Sequence, residues 1–503
     1  MEVAGEHHWM SKFRKQTLNG IQWSLITKLG RQFILFIVGV ILARLLSPNE
    51  FGLIAQILVI TGFAVLFSEL GFGAALIQKQ DFEQEQVSSV FWVNIIAGVA
   101  LTIIFILVAP YIAQFYNEPL LTPLTMFISI TFAIGSLSII QSTILTKELN
   151  FRKLAYVEIP ASIVSGVVAI ILAYNGFGVW SLAVQTVLFS LFNTIILWIV
   201  SSWRPSFTLS FKSIKELLGF STNLLGTQSL NYWVRNIDNL LIGRYLGPNS
   251  LGVYSRAYSL MLFPLTNISN VIARVMFPSF SIIQEDKERV KNIFLKITRS
   301  IALITFPLML GLIVTAAPFV ITVFGSQWIE MIPVLQVLCI VGLTQSIITL
   351  IGNIYLSQGK ADQQFRVGLV LRTNLILGIV IGLQWGVVGV AIGYSIASLI
   401  NIYPNLYFAG RLINLKFIEL VQNLSGIFLC AIGMALIVYM IGQLMPQDWP
   451  SWALLTIEVS VGMLAYFVLI HMFRLDAYIE VRTLLLEQAR PYLKTVMPSQ
   501  LDS

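Results

Sequence analysis

Residues 42–56 read LARLLSPNEFGLIAQ, and residues 242–256 read IGRYLGPNSLGVYSR. The two stretches lie 200 residues apart and agree at Arg44/Arg244, Leu46/Leu246, Pro48/Pro248, Asn49/Asn249 and Gly52/Gly252. Each sets a Pro-Asn break between two long apolar runs. Similarity at a fixed offset marks a chain built of two related halves. In a membrane chain, paired halves are the plan of a transporter.

The solvent is lipid. Of 503 residues, 57% are hydrophobic and 11% are charged, where a soluble globular chain carries about 25% charged residues. Apolar runs of about 20 residues, each long enough to cross the hydrocarbon, recur from end to end. They imply an all-α polytopic membrane protein of about fourteen transmembrane helices, with no room for an aqueous domain. The apolar run after the polar leader is too long for a signal-peptide core, so no cleavage is expected. Cys339 and Cys430 lie inside apolar runs far apart in sequence and read as small apolar fillers.

The net charge of +7 is explained by its distribution, and nucleic acid is not an expected partner. If the N-terminus is cytoplasmic, alternate connections should hold the Lys and Arg. One set carries Lys12, Arg14, Lys15, Lys79, Lys147, Arg152, Lys153, Arg204, Lys212, Lys215, Lys287, Arg289, Lys291, Lys360, Lys416 and the tail from Arg474. The alternate turns, near Asn49, Glu118, Asn175, Asn249, Gln327, Gln384 and Gln447, hold neither residue type. An even helix number with both termini cytoplasmic follows.

The repeat then divides the chain. A leader (1–17) precedes an N-lobe of helices one to six (18–203), a polar connector (204–214) and a C-lobe of helices seven to twelve (215–411). Helices thirteen and fourteen (412–475) have no counterpart, and the tail (476–503) has the pattern of a helix lying on the inner membrane surface. GVWSLA at 178–183 and GVVGVA at 386–391 echo each other near the last helix of each lobe.

Motifs of soluble enzymes are absent, so no catalytic residue, cofactor or metal site is expected. The informative residues are charges inside spans, which cost about 2.5–3.5 kcal/mol each on insertion scales and therefore usually face water or protein. Helix seven holds Gln228, Asn231, Arg235 and Asp238 at spacings of three, four and three, with Asn239 bordering the stripe. This face reads as the wall of a hydrated cavity, with Arg235 holding an anion and Asp238 orienting it. The alternative is an Arg235–Asp238 pair that neutralises itself. Under the 200-residue offset, Lys28 and Arg31 of helix one match Gln228 and Asn231 and extend the same polar wall, unless Lys28 snorkels to headgroups. Arg256 in helix eight is a further cavity candidate. Arg44 and Arg244 suit turn anchoring or helix capping, or gating, and Glu69 suits a gate or an interface. Glu158 reads as interfacial. Arg366 and Arg372 read either as attractors of phosphate headgroups or as positive-inside residues. Glu458 lies deep in helix fourteen without an evident role.

Five segments carry a family resemblance: ARLLSPNEFGLIA (43–55), SELGFGAALIQ (68–78), LNFRKLA (149–155), YSRAYSL (254–260) and NVIARVMFPSFSIIQED (270–286). They resemble the bacterial polysaccharide-unit flippases. The likeness is to the colanic-acid and teichuronic-acid exporter branch of the multidrug/oligosaccharidyl-lipid/polysaccharide exporter superfamily. The resemblance implies two six-helix lobes in a V around a central cavity, alternating access, and a polyprenyl-pyrophosphate-linked oligosaccharide as cargo in the bacterial cytoplasmic membrane. Membrane lipids, a coupling ion such as H+ or Na+, and a polysaccharide polymerase are the partners to expect. Related flippases place arginines from the first, second and eighth helices in the cavity. Arg31 and Arg256 match two of these, while helix two offers Glu69. A drug exporter would want an acidic cavity, whereas the deep charges here lean basic. A membrane glycosyltransferase or polymerase would need a sizeable aqueous loop.

The alternation of charge makes a direct prediction. Reporters fused after Asn49, Asn175, Asn249 and Gln447 should signal from the outer side, and those after Lys79, Lys153, Lys287 and Lys360 from the cytoplasm. A cytoplasmic signal at Asn249 would break the helix count.

Overall fold

The Pro-Asn breaks are helix starts. In the computed structural model, which describes residues 23, 27–28, 30–69, 71–78, 83–446, 448–475 and 478–480 (the side chains of 74, 78, 211–213, 216–224 and 268–275 excepted), the Glu50 carboxylate accepts from the Ser47 N–H (2.6 Å) and hydroxyl (2.9 Å). Ser47 and Glu50 have the spacing of a capping box, and Pro48 takes the first helical position, where its missing N–H costs nothing. In the second copy, Gly247 adopts φ +84° immediately before Pro248.

The helices run in order α1 (30–45), α2 (Pro48–Glu69), α3 (Phe72–Gln78), α4 (Gln84–Tyr116), α5 (Leu121–Ser136), α6 (Ile139–Lys147), α7 (Phe151–Tyr174), α8 (Val179–Val200) and α9 (Phe211–Tyr245). They continue as α10 (Gly247–Ile282), α11 (Lys287–Val314), α12 (Ala316–Val323), α13 (Met331–Ile348), α14 (Ile351–Ser357), α15 (Ala361–Gly382), α16 (Gly386–Gly410), α17 (Phe417–Leu444) and α18 (Ser451–Met472). Among the described residues there is no strand. The eighteen described helices fill the fourteen expected positions, with four positions held by two helices each (α2–α3, α5–α6, α11–α12 and α13–α14), the α5–α6 pair bent by 46°.

By length and apolarity, nine helical stretches among the described residues can cross a membrane, or ten if the α5–α6 pair is one span. One of the nine, Ala361–Ile413, is itself the hairpin of α15 and α16. α9, with Gln228, Asn231, Arg235, Asn236, Asp238 and Asn239 within one short stretch, is not among them. The leader, Lys79, Gln447 and the tail beyond Glu480 lie outside the described residues.

The chain forms two compact units, Met1–Gly252 and Val253–Ser503. In the first, α9 packs along α2, and α4 pairs with α5 as α7 does with α8. Its distinctive joint is the repeat itself. A Cβ on Gly52 would overlap the Pro248 carbonyl, and one on Gly252 would overlap the Pro48 carbonyl. The same glycine of each copy therefore sits against the same proline of the other, a self-complementary contact of the kind a two-fold axis produces. Only a residue without a Cβ lets two backbones approach this closely. Around the joint, the buried Gln56 amide donates to the Gly243 carbonyl (2.9 Å), and the Tyr232 hydroxyl donates to Val59 O (2.8 Å). The connector is fastened to α4: Trp203 Nε1 donates to Gln84 Oε1 (2.8 Å), and Trp92 Nε1 to Ser206 O (2.9 Å).

In the second unit, α11 packs on α13 and α17, α13 on α16, and α17 on α18. The α15–α16 hairpin closes through glycines. A Cβ on Gly378 or Gly382 would strike the carbonyl of Gly393 or Gly389 across the pair. Arg299 Nη2 reaches Glu480 Oε1 (2.8 Å), tying the start of the tail to α11. Cys339 and Cys430 are buried and unpaired.

Adding a methyl group at the repeat joint should destabilise strongly. Gly52→Ala and Gly252→Ala are each expected to cost about 1–3 kcal/mol or more by overpacking. Gly226→Ala, where a Cβ meets nothing within 4 Å, should be neutral or stabilising by a few tenths of a kcal/mol, because Ala is the better helix former. Unfolding of the detergent-purified variants measures this; indifference at Gly52 would contradict the joint.

Candidate functional site

The polar stretch of α9 is open at Gln228, Asn231 and Arg235 and buried at Asp238. Asn231 and Asp238 are seven residues and so only about 20° apart around the helix, so the difference between them lies along α9. Asp238 is only 7% exposed, and its Oδ1 accepts from the Asn239 N–H (2.8 Å). Arg235 makes no hydrogen bond or ion pair among the described residues. The self-neutralising pair with Asp238 is therefore not formed. The neighbouring aromatics Tyr232 and Trp233 pack on Phe63 of α2 in tilted arrangements, with ring centroids at 5.8 and 4.9 Å. That packing fixes the rotation of α9.

Arg31 has a different environment. Its Nη1 donates to Glu158 Oε2 at 3.0 Å, and the guanidinium lies 5.0 Å from the Phe189 ring centroid. Lys28, exposed, and Arg31 line one groove of about 470 Å³ with Gln32, Phe151 and Glu158. Glu158 is the residue that sequence reasoning left at the interface. A mid-helix carboxylate in a basic stretch (LNFRKLAYVEIP) was the available signal, but its partner is 127 residues away.

The remaining candidates are dispersed. Arg244 anchors a turn. Asn117, the C-cap of α4 in the left-handed region at φ 57°, accepts from Arg244 Nη1 at 3.0 Å when its amide NH2 faces Gln114 O. The guanidinium also lies over Phe115 at 5.5 Å. Arg44 is exposed in the last turn of α1, and Glu69 is exposed at the end of α2. Arg256 is half-buried near the start of α10 and falls in the second unit. Gln56, the residue that the 200-residue offset aligns with it, is fully buried. No group of three or more His, Cys, Asp or Glu is placed to hold a metal ion among the described residues.

A bundle of long apolar helices, with nine helical stretches among the described residues able to cross a membrane, defines the class of a polytopic membrane protein. The fold is that of the solved structure of a lipid II flippase, MurJ, in an inward closed conformation, with TM-score 0.73 and 18% identity over 90% of this chain and 98% of that one. The chain belongs to the polysaccharide biosynthesis protein family, whose model matches residues 41–333. It is similar to the teichuronic acid biosynthesis protein TuaB of Bacillus subtilis (strain 168), 29% identical over 96% of this chain and all of that protein. It is also similar to the lipopolysaccharide biosynthesis protein WzxC of Escherichia coli (strain K12), 30% identical over 77% of this chain and 80% of that one.

The two arginines should separate in double-mutant cycles. Arg31→Ala with Glu158→Ala should show a coupling of about 0.2–1 kcal/mol, the range for partly exposed pairs. Arg235→Ala with Asp238→Ala should show no coupling above the about 0.2–0.5 kcal/mol of neighbouring positions on one helix, because no hydrogen bond or ion pair joins the two among the described residues. Chemical unfolding of the purified variants reads both. A large Arg235–Asp238 coupling would restore the ion-pair reading.

Proposed function

We propose that the protein is a flippase that moves polyprenyl-pyrophosphate-linked oligosaccharide units from the inner to the outer leaflet by alternating access, for cell-surface polysaccharide synthesis. The observation that carries this reading is Arg235: an exposed guanidinium, unpaired among the described residues, ten residues before the end of α9, with Gln228 and Asn231 exposed before it. Keeping such a cation at membrane depth is costly unless an anion meets it. A pyrophosphate supplies that anion, and the planar fork of Arg binds it bidentately. Asn231 and Gln228 on the same face offer donors and acceptors to sugar hydroxyls. Arg31, held by Glu158, retains N–H donors for a second contact from α1, with Lys28 beside it.

The names of the relatives support this reading, since they are proteins of teichuronic acid and lipopolysaccharide biosynthesis. So does the fold, which is shared with a protein named for flipping lipid II. The finer points belong to the same proposal: a bacterial cytoplasmic membrane location with both termini inside, lobes at 18–203 and 215–411, coupling to H+ or Na+, and hand-over to a polysaccharide polymerase.

Deleting the protein should leave lipid-linked repeat units on the inner leaflet while their synthesis continues. Arg235→Ala should cut export strongly at normal membrane levels, and Arg235→Lys should recover only part of it, because a point charge replaces a fork. Normal polymer export by the deletion strain, with no paralogue present, would overturn the assignment.

A further inference from the structure

Arg31 and Glu158 are paired in a setting that a purely structural ion pair does not need. Glu158 stands seven residues after Phe151, the first residue of α7, and so about 10 Å along the helix axis. Its Oε2 accepts from Arg31 Nη1 at 3.0 Å, while 38% of the Arg31 side chain and 30% of the Glu158 side chain stay exposed. Both residues line one groove of about 470 Å³, together with Lys28 and Gln32. A pair that only neutralised two charges would gain nothing from bordering an open groove.

Three features make the pair exchangeable. It is held by a single N–H···O contact, where a bidentate fork on the carboxylate would be the stronger form. Partly exposed pairs of this kind shift an equilibrium by no more than about fivefold. The guanidinium is also held by the Phe189 ring, 5.0 Å away, through a cation–π contact that consumes no N–H donor. Arg31 therefore keeps its place when its anionic partner changes. Lys28, one turn earlier, is exposed and makes no hydrogen bond or ion pair among the described residues. One carboxylate thus serves two cations, and the groove keeps an excess positive charge.

We propose that Glu158 is an internal counter-ion that competes with the cargo for Arg31. It occupies the guanidinium while the groove is empty, yields it to the anionic head of the cargo, and takes it back as the head leaves. This rests on the reading that the cargo carries a pyrophosphate, and it adds how the site lets that anion go. A pyrophosphate presents several oxygens to the planar fork, so it displaces a carboxylate held by one contact. The Glu158 charge then remains beside the bound anion and repels it. Cations alone would hold the head tightly and release it slowly, since affinity differences between related complexes lie mostly in the off-rate. Glu158 acts through Arg31 and is a positioning residue.

Binding and transport read this trade separately. Farnesyl pyrophosphate and the neutral farnesol are titrated calorimetrically into the full-length protein in nanodiscs, with empty nanodiscs subtracted. The wild type should prefer the pyrophosphate. Glu158→Gln, which keeps the shape and removes the charge, should tighten the pyrophosphate about two- to fivefold and leave farnesol unchanged. Arg31→Ala should weaken the pyrophosphate, and adding Glu158→Gln to it should change nothing further. In proteoliposomes with a fluorescent polyprenyl-pyrophosphate-linked oligosaccharide, Glu158→Gln should lower the maximal transfer rate. A structural pair would not raise affinity while slowing turnover. Unchanged or weaker pyrophosphate binding by Glu158→Gln would overturn the proposal. So would equal tightening in the Arg31→Ala background, an undiminished transfer rate, or a wild type that does not prefer the pyrophosphate. If Glu158→Gln fails to insert, Glu158→Ser replaces it with the same outcomes. The two readings fail separately. Normal export by the deletion strain, with Glu158→Gln still tightening the pyrophosphate, removes the flippase and leaves the competition; stranded lipid-linked units with Glu158→Gln binding as the wild type does the reverse.

Discussion

Two backbones touch where Gly52 meets Pro248 and Gly252 meets Pro48, and much of the first unit is arranged around that approach. The Pro-Asn breaks bring each long helix to an end, the capping of Ser47 by Glu50 starts the next one at a fixed angle, and the missing Cβ atoms let the copies close. Gly178, at φ +56°, places its turn against Glu50, where a Cβ would lie 2.6 Å from Oε1. One carboxylate thus organises both the start of α2 and the entry to α8. Because the contact is backbone to backbone, it cannot be retuned by swapping rotamers, and a methyl group on either side must displace a helix.

The rotation of α9 follows from the same joint. Gln56, Tyr232 and the Phe63–Trp233 ring contact bind α9 to α2. Arg235 is exposed and makes no ion pair among the described residues, while Arg31 on α1 is answered by Glu158 on α7. The contrast matters because a half-exposed ion pair is worth little, but an unanswered guanidinium at membrane depth is a standing cost. Chains retain such a cost where a ligand offsets it. Glu458 is a parallel case: 7% exposed on α18, with Oε2 unpartnered and Oε1 2.7 Å from where a Cβ on Gly442 would lie.

The helical plan was legible because apolar runs and alternating Lys/Arg need no partner to be read. The repeat was also legible, but the reason for its glycine was not. Gly52 and Gly252 are each other's cause, and their contact spans nearly 200 residues of chain. The same distance hid the role of Glu158, which looks interfacial until α7 is laid beside α1. Asp238 shares its helical face with the exposed Asn231, seven residues earlier, and is buried only because that face meets packed neighbours further along α9, which spacing does not reveal. Arg372 reads from sequence as a residue of the inner part of its helix, either an attractor of headgroups or a positive-inside residue. With α15 beginning at Ala361, it falls at mid-span, among amides contributed by α13 and α16.

We propose that Arg235, exposed and unpaired among the described residues, meets the anionic head of a lipid-linked sugar during its passage across the membrane. Purified protein in proteoliposomes, loaded with a fluorescent polyprenyl-pyrophosphate-linked oligosaccharide, measures that passage through bleaching by a membrane-impermeant quencher. The account predicts transfer between leaflets by the wild-type protein, and loss of transfer in Arg235→Ala at equal reconstitution. Equal transfer by wild type and Arg235→Ala, or transfer no faster than in protein-free vesicles, would contradict it.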